Sequence, residues 1–400
     1  MNNRKIVDSK NKINLCKNKK ILLIIPTNTS YYTFLDELAH ELSVRGWDVH
    51  LAASLQQIRG YDCYDSAICG TPHQIDFPRG YSIIRHIQAA IQLNKLVKQI
   101  YPSIIHCHFS AAAFTTAIAK QAAWPKVIAT IQGSGFAVSS GIYRCIFGLA
   151  EIFIAKRMNE VWLLSRSDID AYYSIGLTGN INLQRSYGFG CQLDKFDRAK
   201  IPACDTAKLR KELGIQPDEF VYIFVGRQVY FKGYHITTNA FMKIKDTCPK
   251  ARLILVGDRD PIHKTGLTSD EEDKASRFEK ITHVGWQKNV AIYMAIADVN
   301  VFPSIREGMP VNLMESLAVG LPVITSNSRG CKDVVRDGVD GIVLKETSVE
   351  SFAQAMIRFY NNRSLGIRLS EEALAGRSRF DRKIWINEQI NIYENQLNLS

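Results

Sequence analysis

The feature that most constrains how this chain folds is an alternation that begins twice. Short, nearly continuous apolar runs come first: "ILLII" (Ile21 to Ile25), "VHLAA" (Val49 to Ala53), "SIIHCHF" (Ser103 to Phe109), "KVIATI" (Lys126 to Ile131) and "EVWLL" (Glu160 to Leu164). Helical spacing separates them, as where Phe34, Leu35, Leu38 and Leu42 share one helix face that Gly46 stops. Strands with no polar face are buried on both sides, which implies a parallel sheet covered by helices. The pattern then restarts at "VYIFVG" (Val221 to Gly226). It continues through "RLILVG" (Arg252 to Gly257), "THVG" (Thr282 to Gly285), "VNVFPS" (Val299 to Ser304), "PVIT" (Pro322 to Thr325) and "GIVLK" (Gly341 to Lys345). A chain of 400 residues is long enough for two domains, each with its own core. The expected fold is α/β, with two doubly wound, Rossmann-like domains facing across a cleft. They join near Tyr187 to Asp197, with Lys200 to Asp218 as a connector. Open parallel sheets bind ligands beyond the carboxyl ends of their strands, so the cleft between two such sheets is the expected site.

Charge adds a second constraint. The formal net charge is +11, and the opening segment sets Arg4, Lys5, Lys10, Lys12, Lys17, Lys19 and Lys20 against Asp8 alone. Such a surplus suits nucleic acid, an anionic membrane or a phosphorylated substrate. Nucleic acid is not expected, because neither a recognition helix nor aromatic-basic interleaving accompanies the charge. "ILLII" ends at Pro26 without a cleavage pattern, so it is expected to be a first strand rather than a leader. The apolar stretch Ile142 to Ala155 is interrupted by Arg144 and Glu151 and is too short to span a bilayer. The nine scattered cysteines form no C-x-x-C pair and suit a reducing compartment. His106 and His108 share one strand face while Cys107 takes the other, which argues for packed histidines rather than a metal site. Two stretches mix apolar and basic residues, Arg79 to Ile100 and Ser140 to Met158. Helices of this kind can lie on an anionic lipid surface, although part of each must also cover the first sheet.

Two local patterns carry the chemistry. In "VGRQVYFKG", residues 225 to 233, Gly226 permits a turn at a strand end, and Arg227 and Lys232 follow before a helix. Two cations beside a helix N-terminus can cradle a diphosphate, although two surface cations near a turn would look the same. The loop has neither the G-x-G-x-x-G nor the P-loop spacing. In "FPSIREGMPVNLMESLAVGLPVITS", residues 302 to 326, Glu307 precedes a helix and Glu315 falls in its second turn. Pro310 suits the first helical position, and the amides from Gly308 to Asn312 would face the cleft unpaired. Ionised carboxylates accept hydrogen bonds from neutral hydroxyls, as sugars present them. The D-x-D triplets at Asp168 to Asp170 and Asp258 to Asp260 are expected to be surface features, not metal sites.

These motifs together resemble the retaining glycosyltransferases of family 4, of GT-B fold. "EGMPVNLME", the upstream "VGR…KG", "DVNVFPS" and "GLPVITSNSRGCKDVVRDGVDGIVL" (Gly320 to Leu344) carry the likeness, which spans nearly the whole chain. It implies a basic, flexible segment at 1–19 and an acceptor-binding domain at 20–197. A nucleotide-sugar-binding domain at 198–379 follows, then a helix at 380–400 that packs back on the first domain. By the same resemblance Glu315 holds the ribose hydroxyls and Glu307 contacts the donor sugar. Arg227 and Lys232 bind the diphosphate, with Gly226 and the backbone of Gly308, Met309, Pro310 and Val311 completing the donor grip. Glu307, Arg227 and Lys232 are the expected catalytic residues, without a protein nucleophile. Fixed cations and amides would stabilise the departing diphosphate, so neither a metal nor another cofactor is expected.

The acceptor side departs from the family pattern. Gln132 stands in "IQGSGF" (Ile131 to Phe136) where many relatives carry histidine, and "PTNTS" (Pro26 to Ser30) replaces a glycine-rich loop. Gln132 can orient a hydroxyl but cannot serve as a base. Thr29, Gln132 and Gly133 are the acceptor-side candidates. The subgroup resembled extends polyprenyl-diphosphate-linked sugars for bacterial surface polysaccharides. The expected partners are a UDP-sugar donor, a lipid-linked saccharide acceptor and an anionic membrane surface, with the protein peripheral on the inner face of the cell membrane. Two rival functions remain at this point, a non-catalytic nucleotide-sugar-binding subunit and a GT-B sugar epimerase.

Overall fold

The structure, a computed structural model, describes residues 19–55, 67–78, 82–184, 186–259 and 268–399. The basic segment before Lys19, residues 79–81 and Asp260 of the second D-x-D triplet lie outside the described residues.

The first sheet contains β1 (Lys20–Thr27), β2 (Asp48–Ser54), β3 (Thr71–Gln74), β4 (Ile104–His108), β5 (Lys126–Ile131), β6 (Glu160–Leu163) and β7 (Ile181–Leu183). The second contains β8 (Phe220–Val225), β9 (Ala251–Val256), β10 (Ile281–Gly285), β11 (Val299–Phe302), β12 (Val323–Ser326) and β13 (Gly341–Leu344). Their orders are β3-β2-β1-β4-β5-β6-β7 and β10-β9-β8-β11-β12-β13, and every pairing between neighbours is parallel. In each sheet the order reverses beside the first strand, between β1 and β4 and between β8 and β11. These are the switch points where a crevice opens at the carboxyl ends. The chain is therefore two doubly wound α/β domains, and each sheet aims its crevice at the other.

The continuous runs are central strands for a simple reason. Ile21 through Ile25 and Phe220 through Val225 are buried at every position, as helices on both faces require. β3 and β7 carried no such signal. β3 is the short edge strand "TPHQ", mostly exposed, and β7 has only three residues. The first helical pattern is two helices, Asn28–Phe34 and Asp36–Val44, meeting at Leu35. The stretch expected as a connector contains the helix Ala203–Glu212, whose single buried residue, Leu209, gives too sparse a periodicity to detect. The described cysteines are free thiols, with Cys107, Cys191, Cys248 and Cys331 buried.

The chain crosses between the domains twice, side by side. Cys191 N donates to Phe380 O at 2.7 Å and Arg382 N donates to Cys191 O at 3.1 Å, which ties the outward crossing to the returning one. The last helix, Arg382–Leu399, then lies on the first domain, where Trp385, Ile386, Ile390, Tyr393 and Leu397 join the cluster of Ile21, Leu23, Leu38 and Leu42. Tyr393 OH also meets His106 Nδ1 at 2.5 Å, and His106 Nε2 meets Thr130 Oγ1 at 2.8 Å. Trp385 is fully buried in that cluster. Trp385→Ala should therefore cost about 3–5 kcal/mol, seen as a lower urea midpoint monitored at the first domain.

Candidate active site

Two loops of the second domain build its side of the candidate site. After β8 the chain passes Gly226 and the exposed Arg227, then makes a short helical turn, Tyr230–Lys232. Gly233 ends that turn with φ +79°, and a Cβ there would stand 2.4 Å from Pro303 O. Only glycine lets this loop press onto the one that follows β11. The close approach brings Lys232 Nζ to 2.6 Å from Glu307 Oε1, which also accepts from Ser304 Oγ at 2.7 Å. Both charges are largely shielded, with 18% and 9% of the side chains exposed. The ammonium also lies near the rings of Phe231 and Phe302, at 5.7 and 5.5 Å. Arg227 stands over the same Phe231, at 5.7 Å.

The helix Val311–Ala318 begins directly after this loop, with Pro310 at its N-cap. Asn312 Nδ2 donates to Val225 O at 2.8 Å, which fixes the helix start against the end of β8. The first helical amides have no carbonyls within the helix to bond, and they carry its positive dipole end. Arg227, Lys232 and this helix start thus form one concentration of positive potential at the β8/β11 crevice. Met309 packs between the domains: a Cβ on Gly188 would come 2.8 Å from Met309 Cγ. Val311 packs on the second domain's core, which leaves its backbone, not its side chain, for a ligand.

Glu315 is set apart. Its side chain is half-buried in a protein environment that pushes its carboxyl up to about 7, with Arg382 and Lys195 opposing that rise from a distance. Among the described residues no hydrogen bond or ion pair reaches the carboxylate. A carboxyl so placed gains more than most from hydroxyl donors, because they stabilise the charged form that burial disfavours.

The first domain meets this site backbone to backbone. A Cβ on Gly308 would lie 2.8 Å from Gln132 C and 2.9 Å from Gly133 N. Gln132 Nε2 is buried there without a partner. The structure therefore brings Lys232, Glu307, Gly308, Gln132 and Gly133 together. Thr29 is not bonded into this cluster. It sits in the first turn after β1, its amide bonded to Asn28 Oδ1 at 2.8 Å and its carbonyl accepting from Thr33 Oγ1 at 2.8 Å.

Sequence reasoning missed what holds the Gln132 loop. Glu151, 2% exposed on the helix Gly141–Arg157, accepts from Ser134 Oγ at 2.9 Å and Gly135 N at 2.7 Å. Burial raises its carboxyl pKa, and those two donors oppose the rise. The signal was available, a lone acid in an apolar helix. Asp168 corrects an expectation outright, since it is not a surface residue but 1% exposed. It accepts from Ser134 N at 3.3 Å and faces Arg329 of the second domain at 3.4 Å. Burial lifts its carboxyl to about 6, against the pull of Ser134 N, Ser165 Oγ and Arg329. Beside it, Ser167 Oγ donates to Asp333 Oδ2 at 2.9 Å, a second link across the cleft.

Comparison with known proteins identifies the family. Residues 205–375 match the family described as Glycosyl transferases group 1, and residues 20–149 match Glycosyl transferase 4-like. The chain belongs to the GT-B glycosyltransferases. It is 26% identical over 294 residues to the Escherichia coli UDP-Gal:alpha-D-GlcNAc-diphosphoundecaprenol alpha-1,3-galactosyltransferase, covering 72% of this chain and 74% of that one. It is 22% identical over 263 residues to the Campylobacter jejuni N,N'-diacetylbacillosaminyl-diphospho-undecaprenol alpha-1,3-N-acetylgalactosaminyltransferase, covering 64% of each. The fold matches HepE of Anabaena in complex with UDP-glucose, with a TM-score of 0.76 and 17% identity over 94% of this chain and 99% of that one. Membership of family 4, and with it a retaining reaction, is consistent with these likenesses.

The Gly308 contact yields a direct test. Gly308→Ala places a methyl group against the backbone of Gln132 and Gly133, neither of which can rotate away. Transfer should fall by tenfold or more, about 1.4 kcal/mol in the barrier, while the melting temperature stays near that of the parent.

Proposed function

We propose that this glycosyltransferase moves a hexose or N-acetylhexosamine from a UDP-sugar to a polyprenyl-diphosphate-linked saccharide, with retention, in the synthesis of a bacterial surface polysaccharide or glycan. The observation that carries the reading is the meeting of the Lys232–Glu307 loop and the helix start with Gln132 and Gly133. A donor held by the second domain would present its anomeric carbon to an acceptor held by the first. Support for the substrates comes from the relatives, whose names specify sugar acceptors on diphosphoundecaprenol and, for one, UDP-Gal as donor. Among the described residues no helix is long and apolar enough to cross a membrane. We place the enzyme peripherally, on the inner face of the cell membrane where such acceptors are reached.

In this reading each residue has a definite task. Glu315 accepts hydrogen bonds from the ribose hydroxyls, and Arg227, Lys232, Gly226 and the amides of Gly308, Met309 and Val311 hold the diphosphate, with Pro310 shaping the turn between them. Breaking the glycosidic bond adds a further charge to that diphosphate, the second on its terminal phosphate, which the fixed cations and dipole stabilise as it forms. Glu307 keeps Lys232 oriented and contacts the sugar. Gln132 Nε2 donates to a substrate hydroxyl, leaving the proton of the attacking hydroxyl to a donor phosphate oxygen. No metal or other cofactor is required in this scheme. If Gln132 instead marks a site that no longer transfers, the protein would bind nucleotide sugar without turnover. Incubation with a panel of UDP-sugars and lipid-linked acceptors, read by mass spectrometry, separates the two. A glycosylated lipid supports the enzyme, and tight donor binding with no product supports the binding subunit.

Metal independence is tested with chelator. Transfer should persist in EDTA, whereas Lys232→Ala should reduce it by about a hundredfold or more, the loss of one charged contact of roughly 1.5–3 kcal/mol plus the unpairing of Glu307. Activity lost to EDTA and restored by Mg²⁺ would contradict this.

Glu315 makes the donor affinity depend on pH. Its carboxylate predominates only above about 7, and that is the form that accepts hydroxyl donors. The affinity for a UDP-hexose, whose diphosphate does not titrate near neutrality, should rise as the pH climbs from 6 to 8. Glu315→Gln should flatten that profile and weaken binding at pH 8 by about ten- to a hundredfold, measured by calorimetry.

A further inference from the structure

The first domain carries a surface that the transfer chemistry does not use. On the helix Ile83–Ile100, Ile84, Ile87 and Ile91 form one stripe at helical spacing, each 45% exposed or more. On the helix Gly141–Arg157, Ile142, Ile146, Leu149 and Phe153 form another, each 37% exposed or more. The helix Ser110–Ala119 runs between them. Its Phe114 ring lies 5.1 Å from the ring of His86 on the first helix and 5.8 Å from that of Phe153 on the other, so the two striped helices flank it. Seven large apolar side chains stand in water on two helices of one layer, packed on the same core, which is more exposed apolar surface than scattered residues make.

The exposed charge carried by these two helices has one sign, although the exposed Asp76 lies beside the first of them, bonded to Gln92. Arg85, Lys95 and Lys98 are exposed on the first helix, and Arg144, Lys156 and Arg157 on the other. From Phe77 to Asn159 the only acidic residue is Glu151. That acid faces inward, holding Ser134 and Gly135 of the loop that meets the donor site. We propose that this face docks on an anionic lipid bilayer, with the apolar stripes entering the interface and the flanking cations meeting lipid phosphates. The physical basis is the one by which basic, apolar helices lie in an interface. A second copy of the chain fits worse, because the face would meet its own positive charge. Nucleic acid does not account for the isoleucine and leucine stripes.

The proposal deepens the functional reading and rests on it for the purpose of docking. The helix Gly141–Arg157 has its outer side on the bilayer and, through Glu151 on its inner side, fixes the Gln132 loop. Docking would therefore set the height of that loop above the lipid headgroups, where a saccharide on a polyprenyl diphosphate begins.

The test uses the full chain and vesicles of phosphatidylcholine with or without phosphatidylglycerol. Flotation should occur with the anionic vesicles, weaken as salt rises, and fail with neutral ones. The double variant Ile146→Glu/Leu149→Glu should lose flotation, and Arg85→Glu should weaken it by about tenfold or more. Both should retain the parent's melting temperature and UDP-hexose affinity, since all three side chains are exposed. The double variant should also lose transfer to a polyprenyl-linked acceptor in vesicles yet keep transfer to a short-chain, water-soluble analogue. Failure of the parent to float with anionic vesicles would overturn the proposal. So would concentration-dependent dimerisation without lipid that the double variant abolishes, which would make the face an interface between copies. Flotation by a parent that transfers sugar to neither acceptor would leave the docking intact and overturn the functional reading instead.

Discussion

The site depends on one contact made without side chains. Gly308 of the second domain lies against the backbone of Gln132 and Gly133 of the first, so close that a single methyl group would not fit. Two sheets whose crevices face each other form a reaction site only if the loops at their carboxyl ends come within a bond length or two of touching. Glycine makes that approach possible, and the polar links beside it, Ser167 to Asp333 and Asp168 to Arg329, fix the angle at which it happens. The paired crossings at Cys191 and Phe380 to Arg382 restrict the hinge from the other end.

In the function proposed above, the Lys232–Glu307 pair shows how charge is managed before a donor arrives. A lysine kept for a diphosphate would be costly to leave shielded and alone, and Glu307 offsets that cost at 2.6 Å. An incoming diphosphate brings two negative charges to a site where one cation is already partly neutralised. The helix start at Val311 therefore matters, because its positive end comes from backbone amides, whose charge no side chain has to supply. The arrangement favours the state with the most negative charge at the diphosphate, which is the one formed as the sugar leaves.

How far the sequence reveals this differs between the two domains. The buried parallel strands were legible because runs such as Ile21 to Ile25 have no polar face and no other stable environment. The placement of Lys232, Glu307 and Glu315 on two loops and a helix was legible because glycine and proline punctuate the chain around them and fix where the loop ends and the helix begins. β3 and the helix Ala203–Glu212 were not, because their positions are exposed and held by neighbours rather than by a pattern of their own. Asp168 was misread for a related reason. An acid in the first turn of a helix looks like an exposed dipole partner, and only the tertiary fold shows that it is covered and turned toward the Gln132 loop.

Glu151 and Asp168 make a further point about the first domain. Both are almost wholly buried, and burial raises both carboxyl pKa values, so each weakens the fold unless its hydrogen bonds are complete. An apolar residue of similar size would pack there at lower cost, but it could not orient the amides of Ser134 and Gly135. The loop has glycines at positions 133 and 135 and therefore little conformational preference of its own. Buried acids on two different helices supply the order that its sequence lacks. One of those helices faces outward with its apolar stripe and the other faces the second domain through Arg329. The Gln132 loop that meets Gly308 is thus positioned from two directions at once, and its conformation is set by the elements around it.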